Sequence, residues 1–167
     1  MRVSPASSGI DSFYRSVQTE TEADTAALGR EIARHLAAGD TVTLSGPLGA
    51  GKSVLARAIV RTFSPREEVP SPTFTLVQTY ETQNFRIAHV DLYRVKAESE
   101  LRELGLDEAL EGGVLVIEWP DRMGLQLPDD RLDIMFEAVD GESRLMKLVG
   151  RGSWVARLKT LRLPGVE

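Results

Sequence analysis

Residues 41–53 read TVTLSGPLGAGKS, and the reading of this stretch decides the fold. TVTLS (41–45) is short, apolar and β-branched, the signature of a buried strand. It runs straight into Gly46, Gly51, Lys52 and Ser53, which fit the phosphate-loop pattern G-x-x-x-x-G-K-[ST]. Beyond the loop, Leu55, Ala56, Ile59, Val60 and Phe63 recur at helical spacing, so 52–63 is expected to be a helix. Strand, glycine loop and helix in that order are the context a phosphate loop requires. The glycines let backbone N–H groups turn inward around an anion, and the helix behind presents its positive end. The loop therefore assigns Gly46, Leu48, Gly49, Ala50, Gly51, Lys52, Ser53 and Val54 to nucleotide binding. Lys52 is the residue for the β- and γ-phosphates, and the Ser53 hydroxyl is a Mg²⁺ ligand.

Working outward, 167 residues suit one domain, and 42% hydrophobic with 27% charged residues is ordinary globular composition. The absence of cysteine removes disulfide scaffolds, thiolate zinc sites and cysteine nucleophiles together. No apolar run approaches the roughly 20 residues of a membrane helix, and the N-terminus lacks the apolar core of a signal peptide. A cytoplasmic protein with no membrane contact is the expectation. The net charge of −5 argues against broad, unaided binding to a nucleic-acid backbone. Charge is unevenly placed, however: 95–112 holds six acidic and two basic residues, whereas 144–163 holds six basic residues and no acidic one. That pattern fits solvated helix and strand faces, or else a polar docking surface for a partner or an RNA.

Residues 1–18 contain Ser, Gly and Pro without a clear period and are read as a loose tail, leaving 19–167 as the domain. Thr21 and Asp24 mark a helix N-terminus, and that helix is expected to end near Gly39. FTLVQTY (74–80) and NFRIAHV (84–90) read as paired strands, and 97–110 as a helical stretch broken near Gly105. GVLVIEW (113–119) is a continuous apolar strand of the kind buried on both faces, stopped by Pro120. RLDIMFEAV (131–139) and SRLMKLVG (143–150) flank a hairpin-type Asp140-Gly141, and Trp154, Val155, Leu158 and Leu161 stripe a last helix. The fold class is α/β: a single P-loop NTPase-like domain with a central mixed β-sheet flanked by helices.

A phosphate loop works with a carboxylate at the end of a buried strand. Glu118 closes VLVIE and Asp91 follows RIAHV. Glu118 has the longer apolar run before it and takes the metal-side role. Asp91 is then the candidate for positioning or deprotonating the attacking water, or for holding a water of the metal's outer shell. His89 shares a strand face with Asp91 and is read as a packed or hydrogen-bonded histidine. VPSPTFT (69–75) is a proline-stiffened loop, either an ordinary connector or a switch whose Thr73 hydroxyl senses the γ-phosphate or its metal.

GPLGAGKS (46–53), VPSPTFTLVQTY (69–80), HVDLYR (89–94) with ELGLDE (103–108), and VIEWPDR (116–122) occur in this order. Together they resemble the TsaE (YjeE) family of small bacterial P-loop ATPases, over roughly residues 20–155. The resemblance implies ATP and Mg²⁺ as cofactors and Lys52, Ser53, Asp91 and Glu118 as site residues. It also places the segment Thr19–Glu22 near the base. It implies a role in making N6-threonylcarbamoyladenosine in tRNAs that read codons beginning with A. The ATPase would act on a complex of TsaB and TsaD and meet tRNA only through it. Many relatives carry an acidic residue at the position of Pro47 and threonine at that of Ser53. With no arginine finger evident, weak hydrolysis in isolation is expected. A small-molecule or nucleoside kinase shares the loop, but Arg122 and Arg131 are too scattered for a lid. A GTPase-type switch finds D-x-x-G at 121–124 but no guanine-reading N-K-x-D or T-K-x-D.

Overall fold

The computed structural model describes residues 2–4, 11–72, 75–137, 141 and 143–164. Four parallel strands form the centre of the sheet: β3 (Thr41–Ser45), β5 (Arg86–Asp91), β6 (Gly113–Glu118) and β7 (Arg131–Glu137). The remaining strands pair antiparallel at the wings: β1 (Arg2–Ser4), β2 (Ser12–Thr19), β4 (Val77–Glu81) and β8 (Arg144–Arg151). The order across the sheet is β1-β2-β8-β7-β3-β6-β5-β4. β3, which feeds the glycine loop, is flanked by β6 on one side and β7 on the other.

Side-chain alternation along each strand supplies two cores. Val114 and Val116 of β6 join Val42 and Leu44 of β3 on the face covered by α1 (Glu22–Arg34), α2 (Lys52–Phe63) and α5 (Trp154–Thr160). Leu115 and Ile117 face the opposite way, toward α3 (Glu98–Glu103) and α4 (Leu106–Leu110). Every residue of β6 is buried, as the continuous apolar run predicts. The break between α3 and α4 falls at Gly105, whose φ of 65° lies in the left-handed region glycine adopts without strain.

α1 opens on a complete capping box, with Thr21 Oγ1 accepting from Asp24 N–H and Asp24 Oδ2 accepting from Thr21 N–H. It stops at Arg34 with His35 as its cap, earlier than Gly39. The first strand of the 74–91 hairpin begins at Val77, because Leu76 has a φ of 67° and turns the chain back onto Pro72. Of the predicted Asp140-Gly141 turn, Asp140 lies outside the described residues.

Of the stretch 1–18 read as a loose tail, residues 12–18 belong instead to β2, which pairs with β8 along its full length from Ser12↔Arg151 to Thr19↔Arg144. Phe13, Val17 and Thr19 point into the core while Ser16 and Gln18 face outward. The intervening Arg15 donates from Nη1 to the carbonyls of Leu158 and Leu161, closing the end of α5.

The basic stretch 144–163 is largely committed within the molecule. Arg151 donates to Asp133, and Arg157 grips Asp40 through both terminal nitrogens at 2.6 and 2.8 Å. Asp40 Oδ2 also accepts Ala37 N–H, and Arg157 lies over the Trp154 ring at 4.0 Å. This pair ties the entrance of β3 to α5. Asp40→Ala leaves the guanidinium without its counter-charge and is expected to lower unfolding free energy by about 2–3 kcal/mol, measured by urea denaturation.

Candidate nucleotide site

α1 and α2 begin differently, and the difference makes the site. α2 has glycine at its N-cap, no side-chain cap and no acidic residue in its first turn. Its leading N–H groups are thus left for an outside acceptor, where the helix dipole favours an anion. The loop before it depends on glycine. Gly46 (φ 134°) lies so close to β7 that a Cβ there would stand 2.6 Å from the Phe136 carbonyl oxygen. Gly51 (φ 102°) turns the chain into the helix.

A cleft of about 260 Å³ opens over this loop. Every loop residue assigned to nucleotide binding lines it except Gly46, which instead accepts a hydrogen bond on its carbonyl from Lys52 Nζ. The Lys52 ammonium also donates to Pro47 O at 3.1 Å and sits 4.1 Å from the centroid of the Trp119 ring. Burial lowers the Lys52 pKa from its ordinary 10.5, and the negative charges of Glu118 and Asp91 oppose that shift.

The two carboxylates reach the cleft because their strands are parallel neighbours in register, with Asp91 paired to Glu118 at the carboxyl ends of β5 and β6. This is the edge at which open α/β sheets bind ligands. Both are buried, at 5% and 3% exposure, and both line the cleft. His89 lies on the same face, and its Nε2 is 2.8 Å from Glu118 Oε2, so the histidine fixes the carboxylate's orientation. The hydrogen-bonded reading of His89 holds. Asp91 Oδ1 accepts Tyr93 N–H at 2.9 Å, which closes the turn that follows β5. Trp119 belongs to the site as well. It follows Glu118 in a left-handed conformation (φ 60°), held by its N–H to Leu44 O, and its ring meets that of Tyr93 at 4.9 Å. The Ser71 end of the proline loop lines the cleft, whereas Thr73 lies outside the described residues.

One cleft residue has no counterpart in the sequence reading. Arg144, the first residue of β8, extends its Nη2 to the carbonyl of Gly49 at 3.4 Å. The available signal was topological. β7 runs parallel to β3, so a hairpin leaving β7 must turn at the same edge as the glycine loop.

A glycine loop at the carboxyl edge of a parallel sheet, backed by an uncapped helix and faced by two strand-end carboxylates, defines a phosphate-loop protein of the α/β class. Comparison with known proteins narrows the class. The family model for the threonylcarbamoyl adenosine biosynthesis protein TsaE matches residues 19–146, and the chain belongs to that family. It is 39% identical over 133 residues to the tRNA threonylcarbamoyladenosine biosynthesis protein TsaE of Rickettsia felis, covering 79% of this chain and 78% of the relative. The protein of the same description from Mycobacterium tuberculosis is 39% identical over 125 residues, covering 70% and 74%. Among solved structures, Bacillus subtilis YdiB superposes with a TM-score of 0.74 at 27% identity, covering 89% of this chain and 93% of that one. No helix among the described residues is long and apolar enough to cross a membrane.

Proposed function

We propose that the protein is a Mg²⁺-dependent ATPase, slow in isolation, that serves the TsaB–TsaD pair in the N6-threonylcarbamoyladenosine modification of tRNA. The observation carrying the proposal is the uncapped start of α2, with Lys52 set between the glycine loop and the carboxylates of Asp91 and Glu118. In this assignment the loop N–H groups hold the phosphates and Lys52 neutralises them. Glu118, fixed by His89, stands on the metal side with Ser53, and Asp91 orients the attacking water. The donor set suits Mg²⁺, which binds through one or two side chains together with substrate phosphates. When bound, the ion would offset charge on the phosphate oxygens. tRNA is met only through the protein complex, and the cytoplasm is the compartment this role requires.

A partner over the cleft is supported by where apolar surface is exposed. Among the described residues Leu48 and Tyr93 are the large hydrophobics left in solvent, at 69% and 41%. Leu48 lines the cleft and the Tyr93 ring packs at a tilt against Trp119 at its wall. Exposed apolar side chains rimming a polar site mark a docking surface. ATP turnover measured with and without purified TsaB and TsaD tests the proposal. Complex formation with altered turnover is the expected result, and neither a complex nor any change would defeat it. Tyr93→Ala is expected to weaken the complex by about tenfold in a calorimetric titration.

A further inference from the structure

α1 and α2 meet closely at Gly29 and Ala58, where a Cβ on the glycine would stand 2.7 Å from the alanine Cβ. Beside this contact the two helices line a groove of about 350 Å³. Its apolar lining is small, with Ala23 and Ala26 from α1 and Ala58 from α2. Its charged lining is lopsided: Arg30, Arg57 and Arg61 stand against Glu22 alone. The groove also shares Glu22 and Val54 with the nucleotide cleft, so the two depressions adjoin.

These arginines lack the internal matching seen at Arg151 and Arg157, which pair with Asp133 and Asp40. Arg30 and Arg57 form no hydrogen bond or ion pair among the described residues. Arg61 donates from Nε to the Glu67 carbonyl at 3.3 Å, which tethers the guanidinium and leaves its charge unpaired. α2 carries no acidic residue along its length, so its own helix offers Arg57 and Arg61 no counter-charge. Glu22 opens α1. It stands roughly 12 Å along the helix from Arg30, beyond the range at which exposed charges offset each other in physiological salt.

We propose that this groove docks an acidic helical segment of a partner protein, one whose carboxylates recur every turn. Arg57 and Arg61 are i, i+4 neighbours on α2, about 6 Å apart, which is also the spacing of carboxylates one turn apart on a facing helix. The alanine lining lets such a helix approach, and a guanidinium fork can take a carboxylate through two parallel hydrogen bonds. A nucleic-acid backbone suits the groove less well. The net charge of −5 repels it, and no aromatic side chain among the described residues lines the groove to stack a base.

The test uses the full chain and four labelled probes in fluorescence anisotropy. Three are helical peptides that differ only in carrying glutamate, glutamine or lysine at every fourth position, and the last is a single-stranded RNA oligonucleotide. The glutamate peptide is expected to bind, and the double variant Arg30→Gln with Arg57→Gln to weaken it by about tenfold at an unchanged thermal midpoint. Arg57→Glu is expected to reverse the preference, losing the glutamate peptide and gaining the lysine one, which unfolding could not produce. No binding of the glutamate peptide, equal binding of the glutamine peptide, or an affinity indifferent to the double variant overturns the proposal. RNA bound more tightly than the glutamate peptide, and released by the same substitutions, would make the groove a nucleic-acid site and defeat it. A dimer in sedimentation that the double variant dissociates would assign the groove to a second copy and defeat it as well.

Discussion

Lys52→Ala is expected to lose ATP hydrolysis by about 1,000-fold in kcat/KM while the chain still folds. The lysine is 5% exposed and has three kinds of neighbour: the carbonyls of Gly46 and Pro47, the face of Trp119, and the charges of Glu118 and Asp91. Nothing else described at the carboxylate end of the cleft is cationic, because Arg144 lies on the opposite flank. The phosphates would then meet two buried carboxylates with no neutralising group between them, and repulsion in that low-dielectric setting is strong. Lys52→Arg is the informative control. It restores charge balance beside Asp91 and Glu118 and so is expected to recover the denaturation midpoint. The planar guanidinium presents its donors in a different geometry from the compact ammonium that meets the Gly46 and Pro47 carbonyls, so hydrolysis is expected to stay impaired. Activity that returns with arginine would show that charge alone is needed at this position.

The parts of this molecule that were legible in sequence are those fixed by local chemistry. β3 and α2 have the residue limits the pattern predicts, because a β-branched run, a glycine loop and a helical stripe each follow from neighbours in the chain. Glu118 and Asp91 were legible as strand ends, but their adjacency required the pairing of β5 with β6, a contact between residues far apart in sequence. β2 was missed for a specific reason. Its inward face reads Phe13, Arg15, Val17, Thr19, and the arginine interrupts the apolar alternation that marks a strand. Only the carbonyls of Leu158 and Leu161, more than 140 residues away, make an arginine acceptable there. Arg144 was invisible as a site residue because nothing in the residues near it signals phosphate or base. Its place at the cleft exists only once β7 and β8 have been laid beside β3.

Glu118→Gln is expected to fold normally and to bind nucleotide, yet to lower hydrolysis by about 1,000-fold and to abolish tRNA modification in cells relying on this copy. The amide is nearly the same size as the carboxylate, and its oxygen can still accept from His89 Nε2, so the buried pair stays satisfied. What is lost is the negative charge that the proposed assignment puts on the metal side of the cleft. Asp91→Asn provides the contrast. Asp91 Oδ1 already accepts Tyr93 N–H and is bound to the turn after β5, whereas Glu118 is oriented by a side chain from the neighbouring strand. The two substitutions are therefore expected to separate in a Mg²⁺ titration of ATP hydrolysis. Glu118→Gln raises the Mg²⁺ concentration needed for half-maximal activity, while Asp91→Asn lowers the maximum without moving the midpoint. The reverse pattern would exchange their roles. Equal shifts in both would mean that the carboxylates act as one unit, as their paired register and shared face allow.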